Sequence, residues 1–225
     1  MYVYIVRHAQ SRGEVNDKEH YSFDPLVRDF EEKDPSLTPH GVMQAALLAN
    51  RLSQVEFDAV LCAPLHSHIA TAYEILKLQK NKKIEIINDL LETHIHDYAG
   101  IPQDILEKLY PDVEIIPCPD PTPTGGRYLL TRQESFDPQE RLIRARRVEK
   151  YITNRFSNEA NVLVLTSTIF GGKSLLPSIM RTLPPNPDAI SFCCEAASVS
   201  KIELRADKLS SACIYVNDKT HLKTE

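Results

Sequence analysis

Met1-Tyr2-Val3-Tyr4-Ile5-Val6 runs directly into Arg7-His8-Ala9-Gln10-Ser11, and the reading of this junction decides the fold. The first six residues are apolar, β-branched or aromatic, the composition of a buried strand. The run stops where a guanidinium stands beside an imidazole at the opening of a loop. Arg7 can fork onto a phosphate or carboxylate, and a neutral His8 nitrogen can attack phosphorus. The pair alone has a plainer explanation: Arg7 bound to a surface acid, and His8 hydrogen-bonded at the edge of the core. The residues at the ends of the other strands choose between the two.

Downstream, apolar strand runs alternate with helical patterns. Residues 12–36 are polar and acidic and read as a long loop, of a length more often functional than idle. Leu37-Thr38-Pro39 starts a helix, with Thr38 as N-cap and Pro39 in the first turn. Its expected core face is Val42, Ala46, Ala49 and Leu52. Phe57 to Cys62 reads as the second strand, His66 to Leu78 as the second helix, and Lys83 to Ile87 as a third strand. Pro138 to Phe156 has an amphipathic pattern, with Arg141, Arg144, Arg146, Arg147 and Lys150 expected on a solvated face. Val162-Leu-Val-Leu-Thr166 is continuous apolar sequence, as in a central strand covered on both faces. Phe170 to Thr182 is expected to be helical. Residues 197–204 and 212–217 are expected to close the chain as antiparallel edge strands.

This order predicts an α/β protein: a three-layer α/β/α sandwich whose sheet is mostly parallel with an antiparallel edge. We read residues 1–225 as a single domain. Residues 101–137 hold a short helix, then Pro117, Pro119, Pro121 and Pro123, then Gly125-Gly126. They are expected to form a cap over the active-site cleft.

Composition narrows the function classes. Apolar and charged residues make up 42% and 25% of the chain, ordinary globular values that exclude disordered and fibrous classes. A formal net charge of -5 argues against a nucleic-acid partner recruited by bulk charge. Apolar runs are too short for a signal-peptide core or a membrane span. The five cysteines are an odd number without metal-like spacing, so they read as reduced thiols of a cytoplasmic protein. No membrane partner and no cofactor are expected. The edge strands near 198–217 could pair two subunits into a homodimer.

In sheets of this kind ligands collect beyond the carboxyl ends of the parallel strands. Arg7, His8 and Ser11 follow the first strand, and His66, Ser67 and His68 follow the second. Glu92, His94, His96 and Asp97 follow the third, and Ser167 and Thr168 the central one. One rim thus gathers a guanidinium, five imidazoles, carboxylates and hydroxyls.

Val6-Arg-His-Ala-Gln-Ser11 resembles the strand-end signature of the histidine phosphatase superfamily, the phosphoglycerate-mutase-like proteins. Further matches come in order. Leu37-Thr-Pro-His-Gly-Val-Met-Gln-Ala45 resembles the family's Leu-Thr-x-x-Gly-x-x-Gln-Ala helix start. Pro64-Leu65 with Thr71-Ala72, Leu91-Glu92 with Tyr98-Ala-Gly100, Arg144 to Val148 and Val162 to Thr166 continue the series. The resemblance covers about residues 1–205. It implies phosphoryl transfer through a phosphohistidine, with His8 as nucleophile, Arg7 as first phosphate clamp, Ser11 as a hydrogen-bond donor and Glu92 as the acid.

Two family positions differ. The pattern Pro-Leu-x-Arg-Ala-x-Gln-Thr-Ala here reads Pro64-Leu-His-Ser-His-Ile-Ala-Thr-Ala72, so Ser67 stands for the second arginine. The second histidine, which comes after the central strand as Ser-His-Gly, is replaced by Ser167 in Thr166-Ser-Thr168. The resemblance therefore implies a phosphomonoesterase that is weak or inactive, with His66 or His68 as stand-in phosphate-binding groups. Two other uses stay open. One is a non-catalytic pseudo-phosphatase that holds a phosphorylated small molecule, another anion or a protein partner. The other is a metal held by the rim of His66, His68, His94 and His96.

Overall fold

The computed structural model describes residues 1–15, 26, 28, 30, 34–92, 101–117, 137–205, 207 and 210–223. Among them seven strands form one sheet: β1 (Tyr2–Arg7), β2 (Ala59–Cys62), β3 (Lys83–Ile86), β4 (Glu114–Pro117), β5 (Asn161–Thr166), β6 (Val199–Leu204) and β7 (Ser211–Asp218). Their order is β4-β3-β2-β5-β1-β6-β7. The pairs from β4 to β1 are parallel, and β6 and β7 run antiparallel at the far edge. This is the expected architecture.

Alternation within the central strands builds the layers. Leu163 and Leu165 face one side with Tyr4 and Val6, packed on helices α1 (Pro39–Leu52) and α2 (His66–Lys77). Val162 and Val164 face the other side with Val3 and Ile5, beneath α4 (Pro138–Arg155). All four β5 side chains are fully buried, which is why this segment reads as one continuous apolar run. On the second face the chain leaves β5 through α5 (Thr168–Phe170), a π turn (Gly171–Leu175) and α6 (Leu176–Ile179). The helix expected from Phe170 to Thr182 is thus earlier and interrupted. The backbones of Gly172 and Phe192 meet there: a Cβ on Gly172 would lie 2.2 Å from the Phe192 oxygen.

Three details correct the expected pattern. The core face of α1 is Ala45, Leu48, Ala49 and Leu52, whereas Val42 and Ala46 are exposed. Gly41 sets this rotation, because a Cβ there would stand 2.1 Å from the Gln10 carbonyl oxygen. Only a hydrogen atom lets the helix start press on the loop after β1. Arg141 and Arg144 lie inside rather than on a solvated face. Arg141 Nε donates to Ser174 Oγ at 2.8 Å, and Arg144 Nη1 donates to the Leu91 carbonyl at 3.0 Å. Finally, the segment expected as a cap begins with elements of the layers, α3 (Gln103–Leu109) and the edge strand β4. Pro117 has no N–H for a further neighbour and so suits an edge position. Residues 118–136 lie outside the described residues. Among the described residues no helix is long and apolar enough to cross a membrane.

The Gly41 contact gives a first expected result. Helix propensity alone favours alanine over glycine by up to about 1 kcal/mol. Overpacking against the Gln10 backbone opposes it, so Gly41→Ala destabilises the protein by about 1–3 kcal/mol. A urea melt reads this as a lower midpoint. An unchanged or higher midpoint would mean that the loop yields without cost.

Candidate active site

Register brings the site together. Arg7 at the end of β1 pairs with Thr166 at the end of β5, and Cys62 at the end of β2 pairs with Leu165. The next residues of each strand therefore meet in one cleft of about 290 Å³. Arg7, His8, Ser11, Ser67, His68, Glu92 and Ser167 all line it. With Thr168, eight of the twelve rim positions singled out in the sequence converge here.

The loop after β1 is fixed by its neighbours. The Ala9 N–H donates to Thr71 Oγ1 at 3.1 Å, and that hydroxyl donates to the Ser67 carbonyl at 2.7 Å. The Thr38 N–H donates to the Gln10 carbonyl at 3.0 Å, while Thr38 Oγ1 caps α1 by accepting from Gly41 at 2.9 Å. His8 is buried, and its Nδ1 lies 2.7 Å from the Ala9 carbonyl oxygen. A carbonyl accepts only, so Nδ1 carries the proton and Nε2 keeps its lone pair. Burial and the adjacent Arg7 push the His8 pKa down to about 4, against a small upward pull from the Ala9 bond. The imidazole is therefore neutral at pH 7, the form in which a histidine acts as a nucleophile.

Arg7 donates from Nη1 to the Cys194 carbonyl at 3.1 Å and forms an ion pair with Glu14 through Nη2. Burial lowers its pKa from the ordinary value, but a guanidinium starts so high that it keeps its charge.

His68 occupies the middle of the cleft. It is fully buried, its ring centroid is 4.4 Å from that of His8, and its Nε2 lies 2.8 Å from Ser167 Oγ. Its Nδ1 lies 3.3 Å from Ser67 Oγ. One imidazole thus spans Ser67 and Ser167, the two serines expected at the family's arginine and histidine positions. Burial, His8 and Arg7 hold its pKa well below the ordinary value, so it is no cationic stand-in for the missing guanidinium.

His66 is not part of the cleft lining. Its backbone N–H donates to Asp34 Oδ1 at 2.8 Å, and its ring lies edge-on to Tyr110, with centroids 6.1 Å apart. The first turn of α2 thus turns the His66 side chain toward Tyr110 at the end of α3, away from the cleft where a phosphate contact was expected. The other half of the expected metal rim, His94 and His96, lies outside the described residues. Among the described residues no group of three or more His, Cys, Asp or Glu side chains is arranged for a metal.

Glu92 reaches the cleft from the turn after β3, and its two oxygens accept the N–H groups of Ile169 at 2.9 Å and Phe170 at 3.2 Å. Its acceptor sites thus serve to hold the first turn after β5. Sequence reasoning missed two carboxylates of the lining, Glu14 and Asp34. Glu14 was within reach of it. Ser11-x-x-Glu14 has the spacing of a capping box, and the Ser11 N–H does donate to Glu14 Oε2, at 2.8 Å.

Comparison with known proteins agrees with this geometry. The family model described as histidine phosphatase superfamily (branch 1) matches residues 3–217. Phosphoserine phosphatase 1 of Hydrogenobacter thermophilus is 31% identical over 111 residues, covering 48% of this chain and 46% of that protein. The match thus spans less than half the length of this curated relative. Among solved structures, the ecdysone phosphate phosphatase of Bombix mori in complex with tungstate superposes with a TM-score of 0.71. It is 14% identical, with 100% of this chain and 95% of that one covered. The alpha-ribazole phosphatase of Shigella flexneri gives 0.62 at 18% identity, with 97% and 96% covered. These likenesses are of fold. Together with the match over residues 3–217, they establish that the chain belongs to the histidine phosphatase superfamily.

Proposed function

We propose that the cleft binds a phosphate monoester between Arg7 and His8 and hydrolyses it slowly. The observation that carries this reading is the neutral imidazole of His68 lying between Ser67 and Ser167, where a clamp of two further donors is expected. In the reaction, His8 Nε2 attacks phosphorus, a P–N bond forms and the ester P–O bond breaks. The leaving oxygen takes a proton from solvent water, and a water molecule then breaks the P–N bond, its oxygen joining phosphorus, to release phosphate and neutral histidine. Among the described residues Arg7 is the one cation of the cleft lining that can neutralise charge on the transferring group. Each absent preorganised donor costs roughly 10²–10³-fold in rate.

Hydrolysis of p-nitrophenyl phosphate by the unaltered chain and by His8→Ala tests the proposal. Slow turnover that falls to the buffer rate in His8→Ala is expected. Equal rates in both would overturn catalysis through His8. That outcome favours the second reading, a non-catalytic anion binder. Its supporting observation is the engagement of both Glu92 oxygens by backbone N–H groups, which leaves the expected acid holding a helix start.

A further inference from the structure

The groups that would face a bound phosphoryl oxygen are already in use, and by one side chain. Glu14 Oε1 pairs with Arg7 Nη2. Its Oε2 accepts the Ser11 N–H at 2.8 Å and lies 3.4 Å from Ser11 Oγ. Elsewhere on the guanidinium, Nη1 donates to the Cys194 carbonyl and Nε is buried without a hydrogen-bond partner. So the outward edge of Arg7, the Ser11 amide and the Ser11 hydroxyl converge on a carboxylate of the protein itself. The short turn that presents it, Arg12–Glu14, is exposed at Glu14, so the side chain has solvent to move into.

We propose that Glu14 is a specificity-determining residue, an internal anion seated where the ligand's anionic group must bind. The inference rests on the reading of this cleft as an anion site. A ligand gains entry by replacing the carboxylate on Arg7 and Ser11. A tetrahedral dianion such as a phosphoryl group offers more charge and more acceptor oxygens than the side chain it displaces. A monocarboxylate offers no more than Glu14 already does, and is turned away. The tethered carboxylate competes at an effective concentration on the order of millimolar. If it leaves the seat open about one-tenth of the time, apparent affinity for an oxyanion drops about tenfold.

Titration calorimetry with tungstate and with acetate, on the unaltered chain, Glu14→Gln and Arg7→Ala, tests this. Glutamine keeps the size and removes the charge, and thermal melting of each variant checks that it folds. Tungstate is expected to bind Glu14→Gln about tenfold tighter than the unaltered chain. Acetate binding is expected to become measurable in Glu14→Gln alone. Tungstate affinities equal within twofold, or weaker in Glu14→Gln, overturn the role of Glu14. Arg7→Ala then separates the two levels. If it abolishes a tungstate affinity that Glu14→Gln leaves unchanged, the anion site stands and Glu14 does not govern it. If no folded protein binds tungstate, both readings fail.

Discussion

Restoring the family pattern at three neighbouring positions, in Ser67→Arg/His68→Ala/Ser167→His, raises the rate of p-nitrophenyl phosphate hydrolysis by about 10²-fold over the unaltered chain. The three changes belong together because His68 fills the space between the two serines, 2.8 Å from Ser167 Oγ and 3.3 Å from Ser67 Oγ. In the family pattern an alanine comes after the arginine. A new guanidinium at 67 and a new imidazole at 167 need the volume that His68 now holds. The double variant Ser67→Arg/Ser167→His, which keeps His68, is therefore expected to be overpacked, destabilised by about 1–3 kcal/mol and no faster. The gain is set at one missing donor's worth rather than two, since groups that act on one phosphoryl are not additive. A triple variant that melts like the unaltered chain and hydrolyses no faster would place the defect elsewhere, with Glu14 on Arg7 as the next candidate.

The parts of the fold that could be read in the sequence are those covered on both faces. β1 and β5 are continuous apolar runs because helices lie on either side, and that pattern survives in one dimension. Strand β4 could not be read. It has four residues, ends in proline and borrows its pairing from β3, so nothing local separates it from the loop beyond it. The rotation of α1 was hidden for a related reason. Val42 and Ala45 are equally good apolar residues, and the choice between them is made by the approach of Gly41 to Gln10, a contact across the fold. The site shows the same division. Strand ends announce Arg7, His8, Ser67 and Ser167, because the topology carries the residues after each parallel strand to one rim. The partners of those residues depend on three-dimensional distances. That His68 rather than His66 turns inward, and that Glu14 lies on Arg7, are set by helix rotation and a single turn.

Arg147→Ala is expected to destabilise the protein by about 3 kcal/mol, although Arg147 touches neither ligand nor His8. The guanidinium forks onto Asp89, with Nε 2.7 Å from Oδ2 and Nη2 2.5 Å from Oδ1. The Asp89 side chain is 2% exposed, whereas that of Arg147 is 38% exposed. The pair is therefore asymmetric. Removing the arginine leaves a carboxylate inside the protein with its main cation gone, which is the costly way to break such a bridge. The half-open position of Arg147 lets water in and keeps the loss at the low end of the range for buried pairs. Arg147→Lys recovers only part of it, because an ammonium cannot donate to both oxygens in the same plane. The position reaches the site as well. Asp89 sits in the turn Asn88–Leu90, and the Leu91 N–H donates back to Asn88 at 3.0 Å immediately before Glu92. Loosening that turn frees Glu92 from Ile169 and Phe170, so the same variant should lose protection of those two amides from hydrogen exchange. Urea melts at constant m-value measure the stability change. A midpoint shift worth less than about 1 kcal/mol, the usual value of an exposed pair, would mean that water already shares the Asp89 carboxylate and that α4 does not hold this turn.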